Sequence, residues 1–144
     1  MSRPTTPLLA ADVIIRLRDQ PDRVVLIERR NPPLGLAIPG GFVDVGERVE
    51  AAAKREAREE VCLDVKLEFL LGLYSDPARD PRGHTVTAVY VASAAGQPRA
   101  ADDARAIIVA DPADTSLPLA FDHRLILDDY LHWRRTGELA PLRF

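Results

Sequence analysis

Two short β-branched runs, Val13-Ile14-Ile15 and Val24-Val25-Leu26-Ile27, stand near the start of the chain. Asp19-Gln20-Pro21-Asp22 lies between them as a turn, so the pair reads as a hairpin. Leu36 to Ile38 is a short extended piece that ends at Pro39-Gly40-Gly41, where a helix is disfavoured. Residues 47–61, rich in Ala, Glu, Arg and Lys, form the clearest helix, with Glu47 and Glu50 suited to the positive end of its dipole. Val65 to Tyr74 reads as a strand, and Asp76 to Gly83 as a polar loop stiffened by two prolines. From His84 to Val91 the side chains alternate: Val86, Ala88 and Tyr90 on one face, Thr85, Thr87, Val89 and Val91 on the other. Ala106 to Ala110 is a further strand. Phe121 to Thr136 is a second helix, with Asp122 as its cap and Gly137 as its stop. Strands before, between and after two helices predict an α/β (α+β) layer fold around a mixed sheet. Met1 to Pro7, with two prolines, reads as a mobile tail ahead of one domain spanning 8–144.

The helix breaks its own pattern. With Val49 at zero and ~100° per residue, Ala52 falls at about −60° and Ala53 at about +40°. These three mark the inward stripe. On the same wheel Glu56 falls at about −20° and Glu60 at about +20°. Two carboxylates therefore continue an apolar stripe. Glu59 sits on its flank, and Lys54 and Arg58 point away. A buried, unpaired carboxylate costs several kcal/mol, at roughly the scale of a broken buried pair. The stripe must therefore open onto a cation, a cleft or water. Oxygen ligands at this spacing suit Mg²⁺ or Mn²⁺ rather than Zn²⁺.

Composition narrows the function. A 144-residue chain with 47% apolar residues has enough material for one real core. A net charge of −3 argues against a duplex-binding surface, so no nucleic-acid partner is expected. It leaves room for a small anionic substrate, since a bound metal reverses the local sign. Cys62 stands alone and forms no intrachain disulfide, and no window has the length of a membrane helix. These features read as a cytoplasmic protein. There is no Walker loop, no Gly-x-Ser-x-Gly elbow and no His-Glu-x-x-His.

Gly41, then Glu47, then Arg55-Glu56-Ala57-Arg58-Glu59-Glu60 and Val61-Cys62-Leu63 together resemble the Nudix box. Cys62 stands where the family has glycine, and Ala57 occupies an aliphatic position. The flanks resemble the ADP-ribose pyrophosphatase branch: Arg29-Arg30-Asn31-Pro32-Pro33, Ala37 to Val43, Tyr74 to His84, and Leu119-Ala120-Phe121-Asp122-His123. The resemblance implies an α/β/α sandwich with a central mixed sheet. It also implies Mg²⁺-dependent hydrolysis of a nucleoside diphosphate linked to another moiety, ADP-ribose first. A (d)NTP pyrophosphohydrolase and a non-catalytic ADP-ribose sensor are the alternatives. Carried over residue by residue, Glu56 and Glu60 are the principal metal ligands, Glu59 a further ligand, and the Gly40 carbonyl an additional one. Arg55 orients the cluster by pairing with Glu47. Gly41 is assigned to the substrate. Arg30 either meets a phosphate or ends its strand in solvent. Asp103, or Asp102 beside it, is the candidate general base. A structural hydrogen bond is the expected role of His84 and His123. A homodimer is implied by the resemblance alone.

Overall fold

A computed structural model describes residues 2–101 and 106–144. Two sheets and two helices make up the described chain. Strands β1 (Leu8–Leu17), β4 (Gly40–Phe42), β5 (Lys66–Tyr74) and β6 (Thr85–Ala94) form a four-stranded sheet in the order β4-β1-β6-β5. Strands β2 (Val24–Glu28), β3 (Leu36–Ala37) and β7 (Ile107–Ala110) form a three-stranded sheet in the order β3-β2-β7. The larger sheet is mixed: β1 runs parallel to β6 along ten residues, and its other pairings are antiparallel.

The expected hairpin does not form. β1 and β2 belong to different sheets, and the turn closes only through the isolated bridge between Leu17 and Gln20. β1 is held along its whole length by β6 and at Ala10 to Asp12 by β4, while β2 takes β3 and β7 as its neighbours in the second sheet.

β1 also explains the layering. Val13, Ile15 and Leu17 join a core with Ala52, Ala53, Ala57 and Val61 of helix α1 (Val49–Val61). Ile14 joins a second core with Ile126, Leu127 and Tyr130 of helix α2 (His123–Thr136). A strand buried on both faces needs cover on both, which is why its apolar run is nearly continuous. On β6, Ala88 and Tyr90 face the first core and Val89 and Val91 the second, as the alternation predicts.

Both helices start later than their sequence suggests. α1 begins at Val49 because Glu47 lies in the preceding turn, where its carboxylate accepts the Asp44 N–H (3.1 Å). α2 begins at His123 because Phe121 takes a left-handed backbone (φ 54°) that no helix continues. Asp122 holds the N-cap position, yet its carboxylate makes no capping bond and is gripped by Arg79 instead. The helix ends follow the expectation. Gly137 stops α2 at φ 78°, and Cys62 stops α1 at φ 58° with its N–H on the Arg58 carbonyl (3.2 Å). No helix among the described residues is long and apolar enough to cross a membrane.

Candidate active site

A cleft of ≈ 320 Å³ opens where α1, β1, β4 and the segment before α2 meet. Its floor is the glycine pair of β4. A Cβ on Gly40 would lie 1.9 Å from Asp12 Oδ1 and 2.5 Å from the Ala11 carbonyl oxygen. A Cβ on Gly41 would lie 2.4 Å from Glu56 Oε1. Only glycine lets the strand come this close to carboxylates on both sides.

The acidic wall is built by α1. Its alanine face is fully buried against the sheet, and the same stripe carries Glu56 and Glu60 into the cleft. Burial pushes the Glu60 carboxyl up to about 9. Its hydrogen bond with Glu56 and the negative charges of Glu56 and Asp12 push the same way, while a hydrogen bond from the Gly40 N–H opposes them. Glu60 Oε2 is buried with no hydrogen-bond partner. Asp12, on β1, brings a third carboxylate to the same cleft.

Arg55 stands behind this wall. It donates to Glu47 through Nε and Nη2 (2.8 and 2.9 Å), to Glu56 through Nη1 (2.9 Å), and to the Phe42 carbonyl (3.1 Å). Its bonds to Glu47 raise its own affinity for its proton and hold the Glu47 carboxyl down to about 2. One guanidinium thus fixes the turn before α1, the end of β4 and one carboxylate of the cleft.

A hard divalent cation fits this donor set. The orphaned oxygen of Glu60, the negative charge shared with Glu56 and Asp12, and the open glycine floor each call for a cation. Such ions take carboxylate oxygens and complete their shells with waters and substrate oxygens.

The other wall is basic and aromatic. Arg29, Arg79, Arg82 and Phe121 line it. Arg79 is buried and forks onto Asp122 (2.9 and 2.7 Å), with Nη1 donating to Thr87 Oγ1 (2.6 Å). Arg82 pairs with the buried Asp80 (3.0 and 2.9 Å). At the inner end, His123 Nδ1 accepts the Ile38 N–H (3.0 Å), which leaves its ring proton on Nε2, 3.4 Å from Asp12 Oδ2.

Among the site residues expected from sequence, Glu56, Glu60, Gly40 and Gly41 come together in the cleft. Arg55 pairs with Glu47 as expected. Glu59 lies outside the lining, exposed, and among the described residues reaches only Arg55 (3.3 Å). Arg30 is exposed and outside the cleft, and its neighbour Arg29 is inside. Asp103 and Asp102 lie outside the described residues. His84 bonds the Ser75 carbonyl oxygen (3.0 Å), a structural contact like that of His123 with Ile38. Sequence reasoning missed Asp12, Asp80 and Phe121 as cleft residues. Asp12 did carry a signal: it is one carboxylate inside an apolar strand.

The family model described as NUDIX domain matches residues 7–130. The chain belongs to the Nudix family. Nudix proteins generally use divalent metals, and this one is a Nudix hydrolase. It is 43% identical over 132 residues to an ADP-ribose pyrophosphatase of Methanocaldococcus jannaschii, covering 89% of this chain and 75% of that one. In structure it is similar to a MutT/nudix family protein from Enterococcus faecalis (TM-score 0.77, 26% identity, covering 96% of this chain and 66% of that one). It is also similar to the NUDIX domain of Shewanella oneidensis NrtR complexed with ADP ribose (TM-score 0.76, 26% identity, 92% and 90%).

Proposed function

We propose that this Nudix hydrolase cleaves the pyrophosphate linkage of a nucleoside diphosphate joined to another moiety, with ADP-ribose as substrate and Mg²⁺ as cofactor. The observation that carries the reading is the half-buried Glu56–Glu60 pair, with the buried, orphaned Glu60 oxygen above a glycine floor. The 43% identity to an ADP-ribose pyrophosphatase supports the choice of substrate.

Glu56 and Glu60 would hold the metal, with the Gly40 carbonyl as a further donor, and the ion bound there would supply charge neutralisation of the phosphates and acidification of a water. The water oxygen bonds to one phosphorus. The bridging anhydride oxygen leaves on the other phosphate. Arg55 keeps Glu56 in place through its 2.9 Å bond. Asp103 is our candidate to take the water's proton. The exposed Glu59 joins the ligand set only by turning away from Arg55. Gly41 gives the substrate access beside Glu56. We assign the assembly to a homodimer, which the exposed Leu70 and Leu73 on the edge strand β5 support.

A product assay tests the reading. ADP-ribose, other nucleoside diphosphate sugars and (d)NTPs are incubated with Mg²⁺ or Mn²⁺ and separated by anion exchange. Selective release of AMP and ribose 5-phosphate from ADP-ribose is the expected result. Nucleoside monophosphate plus pyrophosphate from a triphosphate would replace the substrate. Tight ADP-ribose binding without turnover would point to a sensor.

A further inference from the structure

Three arginines line the cleft, and two of them are already neutralised. Arg79 is forked onto Asp122 and Arg82 onto Asp80. Arg29 is different. Its Nε donates to the Pro33 carbonyl (2.6 Å), and its backbone N–H donates to the Gly35 carbonyl (2.9 Å). Its guanidinium lies 4.6 Å from the centre of the Phe121 ring. Among the described residues no carboxylate forms an ion pair with it. The group is partly buried, and burial together with the charge of Arg82 weakens its hold on its proton. Asp80, already forked by Arg82, and then Glu60 and Asp12 lie within its electrostatic reach.

The cleft is therefore polarised. At one end, a Glu60 oxygen has no partner beside the negative charges of Glu56 and Asp12. At the other, a partly buried guanidinium lacks an anion. A diphosphate taken up together with a divalent cation supplies both. We propose that Arg29 binds the substrate phosphate lying away from the Glu56–Glu60 pair, and that Phe121 positions it. This rests on the pyrophosphate-cleaving reading above. The guanidinium fork suits a phosphate, and a ring beneath it leaves its edge nitrogens free to donate. Phe121 is itself held. Its left-handed backbone is followed at once by Asp122, clamped by the buried Arg79. Phe121 also carries Arg82 at 5.2 Å, so one ring sets the place of both guanidiniums.

The test compares Arg29→Gln, Arg29→Lys and Arg30→Gln by calorimetric binding of inorganic pyrophosphate in Mn²⁺ and by steady-state hydrolysis of ADP-ribose. Arg29→Gln is expected to weaken pyrophosphate binding and raise KM at least ~10-fold, the scale of a charge-assisted bond, with a smaller change in kcat. Arg29→Lys should recover part of the loss. Arg30→Gln should stay within about twofold, since an exposed charge contributes little. Binding of Mn²⁺ alone should hold or tighten in Arg29→Gln, and its Tm should hold or rise. Phe121→Leu should raise KM in the wild-type background and add nothing to Arg29→Gln, as two residues acting as a unit do. Wild-type affinity for pyrophosphate in Arg29→Gln, or a loss carried by Arg30→Gln, overturns the proposal. Wild-type protein that leaves ADP-ribose intact but binds pyrophosphate through Arg29 keeps this inference and discards the substrate reading.

Discussion

The two helices cover opposite faces of one sheet and do so with different chemistry. α2 buries Ile126, Leu127 and Tyr130 completely and offers the cleft only its first residue, His123. α1 buries three alanines and a valine. Small side chains let a helix lie close to a sheet, and this closeness brings Glu56 within reach of Gly41. What α1 gives up in apolar area it returns as two carboxylates on the buried stripe. The difference teaches where stability and chemistry reside. α2 is an anchor whose large side chains set the core. α1 is a carrier that places charge where a core residue would otherwise stand.

The strongest way to break this contrast is to remove the charge from α1. Glu60→Gln keeps the shape of the side chain and deletes its ionised form. Turnover should fall by about two to three orders of magnitude, because several kcal/mol of metal-assisted stabilisation is lost. The fold should survive, and without metal it should improve at high pH. The Glu60 carboxyl is raised to about 9 in the folded chain, against 4.5 for the ordinary group. Its folded form therefore binds the proton more tightly than its unfolded form. The contribution is fully present below pH ~4.5 and is lost progressively as pH rises toward ~9. Metal-free wild type should thus lose Tm between pH 5 and 9, and Glu60→Gln should flatten that decline. Added Mn²⁺ should restore the wild type alone. Equal slopes for the two proteins would remove Glu60 from the buried pair.

The next largest effect belongs to α2. Leu127→Ala should cost about 2–5 kcal/mol in chemical denaturation, the range for deleting a fully buried leucine. Specific activity at low temperature should remain near wild type. The matching change in α1 runs the other way. Ala53→Leu forces three heavy atoms into a fully buried contact with the sheet and should cost about 1–3 kcal/mol. It should also cut activity, because tilting α1 displaces Glu56 and Glu60. Equal activity losses from the two variants would erase the distinction between anchor and carrier.

How much of this is legible in the sequence follows the same division. The Glu56–Glu60 pair is a local fact: helical period alone places both on the stripe of Val49, Ala52 and Ala53. The basic wall is not local. Arg29 and Arg30 differ by one position, and one position decides which of them enters the cleft. That depends on how the chain leaves β2, through bonds to Pro33 and Gly35. Asp12 depends on β4 pairing with β1, register Asp12 to Gly40. The missed hairpin has the same cause. Val13–Ile15 and Val24–Ile27 are both good strands, and only the long-range pairings, β1 with β6 and β2 with β3 and β7, show that they do not pair with each other.

The smallest effect sits at the end of α1, where the chain departs from the family pattern. Cys62 takes the left-handed conformation at φ 58°, where the resembled box has glycine. A side chain with a Cβ is strained there by roughly 1 kcal/mol, and glycine is not. Glycine, however, carries more entropy in the unfolded chain, which returns part of that gain. Cys62 is exposed, so little packing is lost with its side chain. Cys62→Gly should therefore stabilise by about 0.5–1 kcal/mol, read as a rise in Tm of a few degrees at this chain length. Activity should not change, since the residue lies outside the cleft lining. The comparison with Gly137 sharpens the point. Gly137 ends α2 at φ 78° without a Cβ, so Gly137→Ala should destabilise by a similar amount. A Cys62→Gly protein less stable than wild type would mean that the thiol makes a contact worth more than the strain it imposes.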